Sequence, residues 1–213
     1  MRTVLCYGDS NTYGFNPESG LRYPKDVRWT GRLQSLLGED YVVVEEGCNG
    51  RTTVFEDPSE GWKKGIDYLR PCLNTHKPVD IVILMLGTND LKELFAANAE
   101  DMACGAEELV EIIQTFTVEK QGFAPKVILV SPPEIGEGVC NGAFSSSFGT
   151  RAAQESRKLA GFYKEVADRK GCLFLNAAQH IKPSTADYVH LGPEGHEVLA
   201  EVLCILITKK CNI

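Results

Sequence analysis

Five short apolar runs punctuate the chain: TVLCY (3–7), YVVVEE (41–46), DIVILML (80–86), KVILVS (126–131) and CLFLN (172–176). They are rich in Val, Ile and Leu. The third and fourth are apolar at consecutive positions, the pattern of strands buried on both faces. Between the runs, apolar residues recur at helical spacing. Trp29, Leu33, Leu36 and Leu37 share one face of a helix that Gly38 can end. Leu109, Ile112, Ile113 and Phe116 mark a second helix inside 99–118, and Leu159, Phe162, Tyr163 and Val166 a third, closed by Gly171. Pro193 opens a fourth, whose face carries Val198, Leu199, Val202, Ile205 and Leu206. Unbroken strand–helix alternation predicts an α/β fold, a parallel sheet covered by helices on both sides. With no repeat, low-complexity tract or linker, residues 1–213 read as one domain. The loops 14–26, 50–70 and 132–148 are long, as functional loops often are.

In an open parallel sheet the ligand crevice lies beyond the carboxyl ends of the strands. Polar clusters follow four of the five runs. The first is Gly8-Asp9-Ser10-Asn11, the second Gly47-Cys48-Asn49-Gly50-Arg51-Thr52-Thr53, and the third Gly87-Thr88-Asn89-Asp90. The last, some distance after the fifth run, is Asp187-Tyr188-Val189-His190-Leu191. All four fall on the same edge of the sheet.

Charge and cysteine usage narrow the setting. A formal net charge of −7 argues against a nucleic-acid binder or a protein drawn to anionic lipid. No apolar run approaches a membrane span, and Met1-Arg2-Thr3 leads straight into a strand without a signal-peptide pattern. The eight cysteines are scattered and form no C-x-x-C pair, so neither a zinc site nor a thioredoxin motif is signalled. A reducing cytoplasm is the expected location.

Ser10 alone would read as a turn serine bonded to nearby backbone. As a nucleophile it needs an imidazole to take its proton and a carboxylate to hold that imidazole in the right tautomer. Asp187 and His190, three apart before a helix, can supply both. A tetrahedral intermediate also needs donors for its oxyanion. The candidates are the backbone N–H groups of Ser10 and Gly50 and the side-chain amide of Asn89: glycine lets backbone approach closely, and an amide donates without titrating.

These blocks, in this order, resemble the SGNH hydrolases, the GDSL lipase/esterase superfamily, through GDSN (Ser10), GCNGRTT (Gly50), GTND (Asn89) and DYVHL (Asp187, His190). The resemblance runs from residue 3 to the last helix. It leans toward the bacterial arylesterase/acyltransferase branch, through DVRWTG (26–31), EEG…RTT (45–53), LMLGTND (84–90) and VSPP (130–133). It implies a flavodoxin-like three-layer sandwich with a five-stranded parallel sheet in the order 2-1-3-4-5. Ser10 and Asn89 would then face each other at the switch point. It also implies a serine esterase acting on small short-chain esters, acetyl above all, through an acyl-enzyme. Acyl transfer to alcohols and homo-oligomers occur in this branch. No cofactor or metal is implied. A carbohydrate O-acetyl esterase is the alternative within the superfamily.

Other residues carry blander expectations. Asp9 reads as a turn residue and His196, inside the last helix, as structural. His76 and His180 show no nearby acid partner of the right kind. Trp29 reads as packing, and for Trp62 core, rim and subunit contact all stay open. GEGVCNG (136–142) lacks the lysine of a phosphate loop and reads as a mobile flap over the crevice. Ile135, Phe144 and Phe148 are candidate walls of an acyl site, and Tyr13 another. Two rivals remain: a metal-dependent phosphoesterase using Asp9, Asp90, Asp187 and His190, and a silent binding module on the same fold.

Overall fold

The computed structural model describes residues 1–211. Its centre is a five-stranded sheet of β1 (Arg2–Gly8), β2 (Tyr41–Gly47), β3 (Ile81–Met85), β4 (Lys126–Ser131) and β5 (Leu173–Asn176). All neighbours are parallel and the order is β2-β1-β3-β4-β5, as the resemblance implies. β1 and β3 lie side by side, with Gly8 opposite Met85, so the chain leaves both strands at the switch point.

Among the described residues six α-helices surround the sheet: α1 (Ser10–Tyr13), α2 (Trp29–Leu37), α3 (Gly65–His76), α4 (Ala99–Gln121), α5 (Thr150–Lys170) and α6 (Pro193–Lys210). The strand period of two splits each apolar run between two cores. Leu5, Tyr7, Val82, Leu84, Val127 and Leu129 face the layer of α3, α4 and α5. Val4, Cys6, Ile81, Ile83, Ile128 and Val130 face α2 and α6, through Trp29, Leu33, Leu199 and Leu203. Local signals set the helix ends. Asn98 and Asp101 form a capping box on α4, Gly122 and Gly171 take left-handed conformations after α4 and α5, and Pro193 occupies the first turn of α6.

Three expectations need correction. Residues 65–76 form α3 rather than part of a loop. Pro71 lies inside that helix, where it removes a backbone donor and costs about 3 kcal/mol. Buried Leu69, Cys72 and Leu73 outweigh it, since a fully buried aliphatic side chain contributes roughly 1.5–3 kcal/mol. On α2 the buried stripe is Trp29, Leu33 and Leu37, at a spacing of four, and Leu36 points to solvent. On α6 the buried stripe is His196, Leu199, Ala200, Leu203 and Ile207, rotated from the expected face, and Ile205 is exposed. Among the described residues no helix is long and apolar enough to cross a membrane.

Candidate active site

Ser10 is the first residue of α1, two residues beyond the end of β1. Asp9 caps that helix by accepting the Asn11 N–H at 2.9 Å, which sets the elbow on which Ser10 stands. The elbow is tight. A Cβ at Gly8 would lie 2.1 Å from Thr12 Oγ1 and 2.8 Å from the Met85 carbonyl oxygen, so only glycine lets β1 turn against β3.

His190 arrives from a turn 180 residues later. Its Nε2 lies 2.8 Å from Ser10 Oγ and its Nδ1 2.6 Å from Asp187 Oδ2. Asp187 Oδ1 accepts the backbone N–H groups of Val189 and His190, both at 2.9 Å, so the carboxylate organises the turn as well as the ring. Burial pushes the Asp187 carboxyl up. The hydrogen bond and charge of the His190 ring, with those two N–H groups, outweigh it and hold the group below its ordinary range. Tyr188, between Asp187 and His190, has φ 64°, an uncommon conformation for a non-glycine residue.

Gly50 and Asn89 line the same crevice as Ser10. Gly50 has φ 79°, a conformation that favours glycine, and a Cβ there would meet only the movable end of the Lys63 side chain, with Cε at 2.7 Å. Among the described residues neither the Ser10 nor the Gly50 N–H has a protein acceptor. The Asn89 amide donates one N–H to the Arg51 carbonyl at 3.2 Å, which leaves the second for the crevice. Asp90 accepts the Thr53 N–H at 3.0 Å and also its hydroxyl, tying the segment that carries Gly50 to the segment that carries Asn89. Burial raises the carboxyls of Asp9 and Asp90 to about 6 each.

The crevice measures about 320 Å3. Phe15, Phe144 and Phe148 wall it next to His190; the Phe15 ring lies 4.4 Å and the Phe144 ring 5.4 Å from the imidazole, centroid to centroid. Asn49, Glu60, Trp62, Lys63 and Lys92 also line the crevice, as a mostly polar rim. Both lysines are paired, Lys63 with Glu60 and Lys92 with Asp57, each at 3.0 Å.

Of the expected wall residues, Phe144 and Phe148 are in place, but Ile135 and Tyr13 are not. Ile135 is 2% exposed in the core below α5, its N–H given to Ser156 Oγ at 3.1 Å. The Tyr13 ring is covered by the Arg22 guanidinium, 4.5 Å from its centroid. Phe15 takes the place expected for Tyr13. Residues 136–142 do not form a free flap. The Gly136 N–H is bonded to the Tyr188 carbonyl at 2.8 Å, and a Cβ at Gly138 would lie 2.2 Å from Tyr188 Cζ, so these glycines are fitted around the tyrosine ring. His76 does have an acid partner, Glu46 at 2.7 Å, which sequence distance had hidden. Among the described residues Asp9, Asp90, Asp187 and His190 do not bring three ligand atoms together, so the rival metal centre has no geometry behind it.

Residues 6–198 match the profile of the GDSL-like Lipase/Acylhydrolase family. No functionally curated protein sequence matches the chain significantly. Among solved structures, Est24, a carbohydrate acetylesterase from Sinorhizobium meliloti, is 36% identical, with a TM-score of 0.92 over 98% of this chain and 99% of that one. The aryl esterase of M. smegmatis is 35% identical, with a TM-score of 0.91 over the same shares. A second carbohydrate acetylesterase family member from Sinorhizobium meliloti is 32% identical, with a TM-score of 0.92 over the whole of both chains.

Proposed function

The chain belongs to the GDSL-like lipase/acylhydrolase family and is a carboxylic ester hydrolase, and from that premise we propose that it cleaves acetyl and other short-chain esters through an acyl-enzyme on Ser10. The observation that carries this reading is the continuous chain Ser10 Oγ, His190 Nε2, His190 Nδ1, Asp187 Oδ2, with links of 2.8 and 2.6 Å. Ser10 Oγ attacks the ester carbonyl while His190 Nε2 takes its proton. Asp187 holds the proton on Nδ1 and stabilises the imidazolium. The N–H groups of Ser10 and Gly50 and the Asn89 amide receive the negative charge that develops on the carbonyl oxygen. The intermediate collapses, and His190 gives its proton to the departing alkoxide. A water, deprotonated by the same imidazole, then splits the acyl-enzyme and frees the acid. A second alcohol in place of water would give acyl transfer, which an aromatic wall that limits water near His190 favours.

The walls divide the substrate. Phe15, Phe144 and Phe148 suit a short acyl group, whereas the rim of Asn49, Glu60, Trp62, Lys63 and Lys92 suits a polar alcohol. Trp62 is 64% exposed there, placed to stack on a flat ring or a sugar face. That rim favours an O-acetylated sugar over a long-chain lipid ester. Eight unpaired cysteines fit a reducing, cytoplasmic compartment.

The test is hydrolysis of a chromogenic acetate together with labelling by a serine-directed phosphonate. Parent protein should turn over and carry the label on Ser10, and folded Ser10→Ala should do neither. Substantial turnover by folded Ser10→Ala would overturn the assignment.

A further inference from the structure

Away from the crevice, the end of β2 and one face of α3 bring together three side chains of metal-ligand type. The ligand atoms of Glu46, Cys72 and His76 all lie within 4.8 Å of one another. Cys72 and His76 are four apart on α3 and so share a helix face, and β2 carries Glu46 to them. Cys72 is fully buried, while the Glu46 and His76 side chains are 19% and 26% exposed, which leaves an ion a way in.

We propose that Glu46, Cys72 and His76 form a site for a divalent transition-metal ion, Zn2+ before others. The donor set decides the class. Ca2+ and Mg2+ take oxygen ligands, whereas one carboxylate oxygen, one imidazole nitrogen and one thiolate sulfur suit Zn2+. Three protein ligands leave a fourth tetrahedral position for water. On binding, the Cys72 S–H bond is replaced by a zinc–sulfur bond and its proton passes to solvent; His76 binds as the neutral imidazole. The carboxylate and thiolate then balance the two charges of the ion, as a partly buried site requires. The nearby cation, Arg51, is engaged elsewhere: its guanidinium lies 4.2 Å from the centre of the Tyr7 ring, and Nη1 donates to the carbonyl oxygens of Gly8, at 3.0 Å, and Glu46. Without an ion, His76 would be bonded to Glu46 at 2.7 Å and Cys72 would serve as a small core residue, which is the alternative that the titration below excludes. The ion would clamp α3 to the strand end from which the Gly50 segment departs.

Zn2+ titrated into the full chain against a chromogenic chelator measures the site, and Co2+ reports its ligands optically. One Zn2+ should bind per chain, and Co2+ should develop a thiolate-to-metal charge-transfer band in the near ultraviolet. His76→Ala should weaken Zn2+ binding by at least about 100-fold, since loss of even an outer partner costs 10–100-fold. Cys72→Ala should do the same and abolish the Co2+ band, whereas Cys104→Ser, at an exposed cysteine, should change neither. Ester turnover and circular dichroism verify that each variant has folded, and half-buried His76 supplies a test that does not disturb the core. Failure to compete with the chelator, or Zn2+ affinity within a few-fold of the parent in either His76→Ala or Cys72→Ala, would overturn the site and leave only the Glu46–His76 hydrogen bond.

Discussion

Asn11 holds His190 by both of its backbone neighbours. The Asn11 side chain donates from Nδ2 to the Val189 carbonyl at 3.4 Å and accepts at Oδ1 the Leu191 N–H at 2.9 Å. The residue after Ser10 thus fixes the turn that carries the imidazole, so the separation of Ser10 and His190 does not depend on their own contact alone. Asn11 is 1% exposed, and its backbone carbonyl takes the Trp29 indole N–H at 3.0 Å, which ties the same residue to the core.

Asn11→Ala should therefore act on positioning. A displacement of about 1 Å between reacting groups can cost on the order of 10²-fold in rate. We expect kcat to fall by that order with KM little changed, and phosphonate labelling of Ser10 to slow in parallel, because labelling uses the same base. Normal labelling with only a lowered Tm would show that Asn11 serves stability alone.

Asn89→Ala separates an oxyanion donor from a structural amide. Loss of one such donor costs on the order of 10²–10³ in kcat, roughly 3–4 kcal/mol. Loss of its bond to the Arg51 carbonyl costs about 1 kcal/mol of stability. Kinetics and thermal unfolding of the one variant measure both, and near-normal kcat with a lowered Tm would remove Asn89 from the mechanism.

His190 and His196 should fail in different ways. His190→Ala should lose nearly all turnover and keep its fold. His196 Nδ1 accepts the Trp29 N–H at the start of α2, at 3.2 Å, so its ring must stay neutral there. Burial, then the charges of Arg32 and His190, depress its pKa to about 3. An unfolded histidine titrates near 6.5, so between about 6.5 and 3 the unfolded chain binds the extra proton and stability falls as pH falls, by about 5 kcal/mol at the limit. Asp9 and Asp90, raised to about 6, act in the opposite sense and lose stability as pH rises from about 4 to 6. The comparison is therefore between proteins: urea midpoints of His196→Gln should fall less between pH 6.5 and 4 than those of the parent. Parallel curves would count against a buried neutral His196.

Phe144 should limit acyl length. Its ring packs against His190 and, 6.5 Å away, against Phe148. Phe144→Ala should raise the hexanoate-to-acetate ratio of kcat/KM by about 10-fold or more, within the 10–200-fold that one methylene is worth in an apolar pocket. An unchanged ratio would place the acyl chain elsewhere in the crevice.

The sheet was legible because its central strands, buried on both faces, are apolar at consecutive positions, and because short β-branched runs alternate with longer segments of helical period. The elbow and the Asp187–His190 turn were legible because each is local, a few residues that set their own geometry. Contacts between distant segments were not. Phe15 meets His190 only through the fold, Glu46 finds His76 thirty residues away, and Tyr13 shares the crevice-facing segment yet turns toward Arg22. α3 was obscured by Pro71, whose local preference is overruled by burial. Glycines 136 and 138 suggested a mobile flap until the Tyr188 ring explained them.

Trp62 stands 64% exposed at the crevice mouth, while Trp29, the other tryptophan of the chain, is sealed in the core. An aqueous quencher such as iodide can reach the first indole and not the second. The protein thus carries its own optical gauge: the quenchable share of its emission belongs to the rim, the unquenchable share to the folded interior. A ligand seated against Trp62 should shield the first share and leave the second as an internal standard, so occupancy of the crevice and integrity of the core can be read from one unlabelled sample.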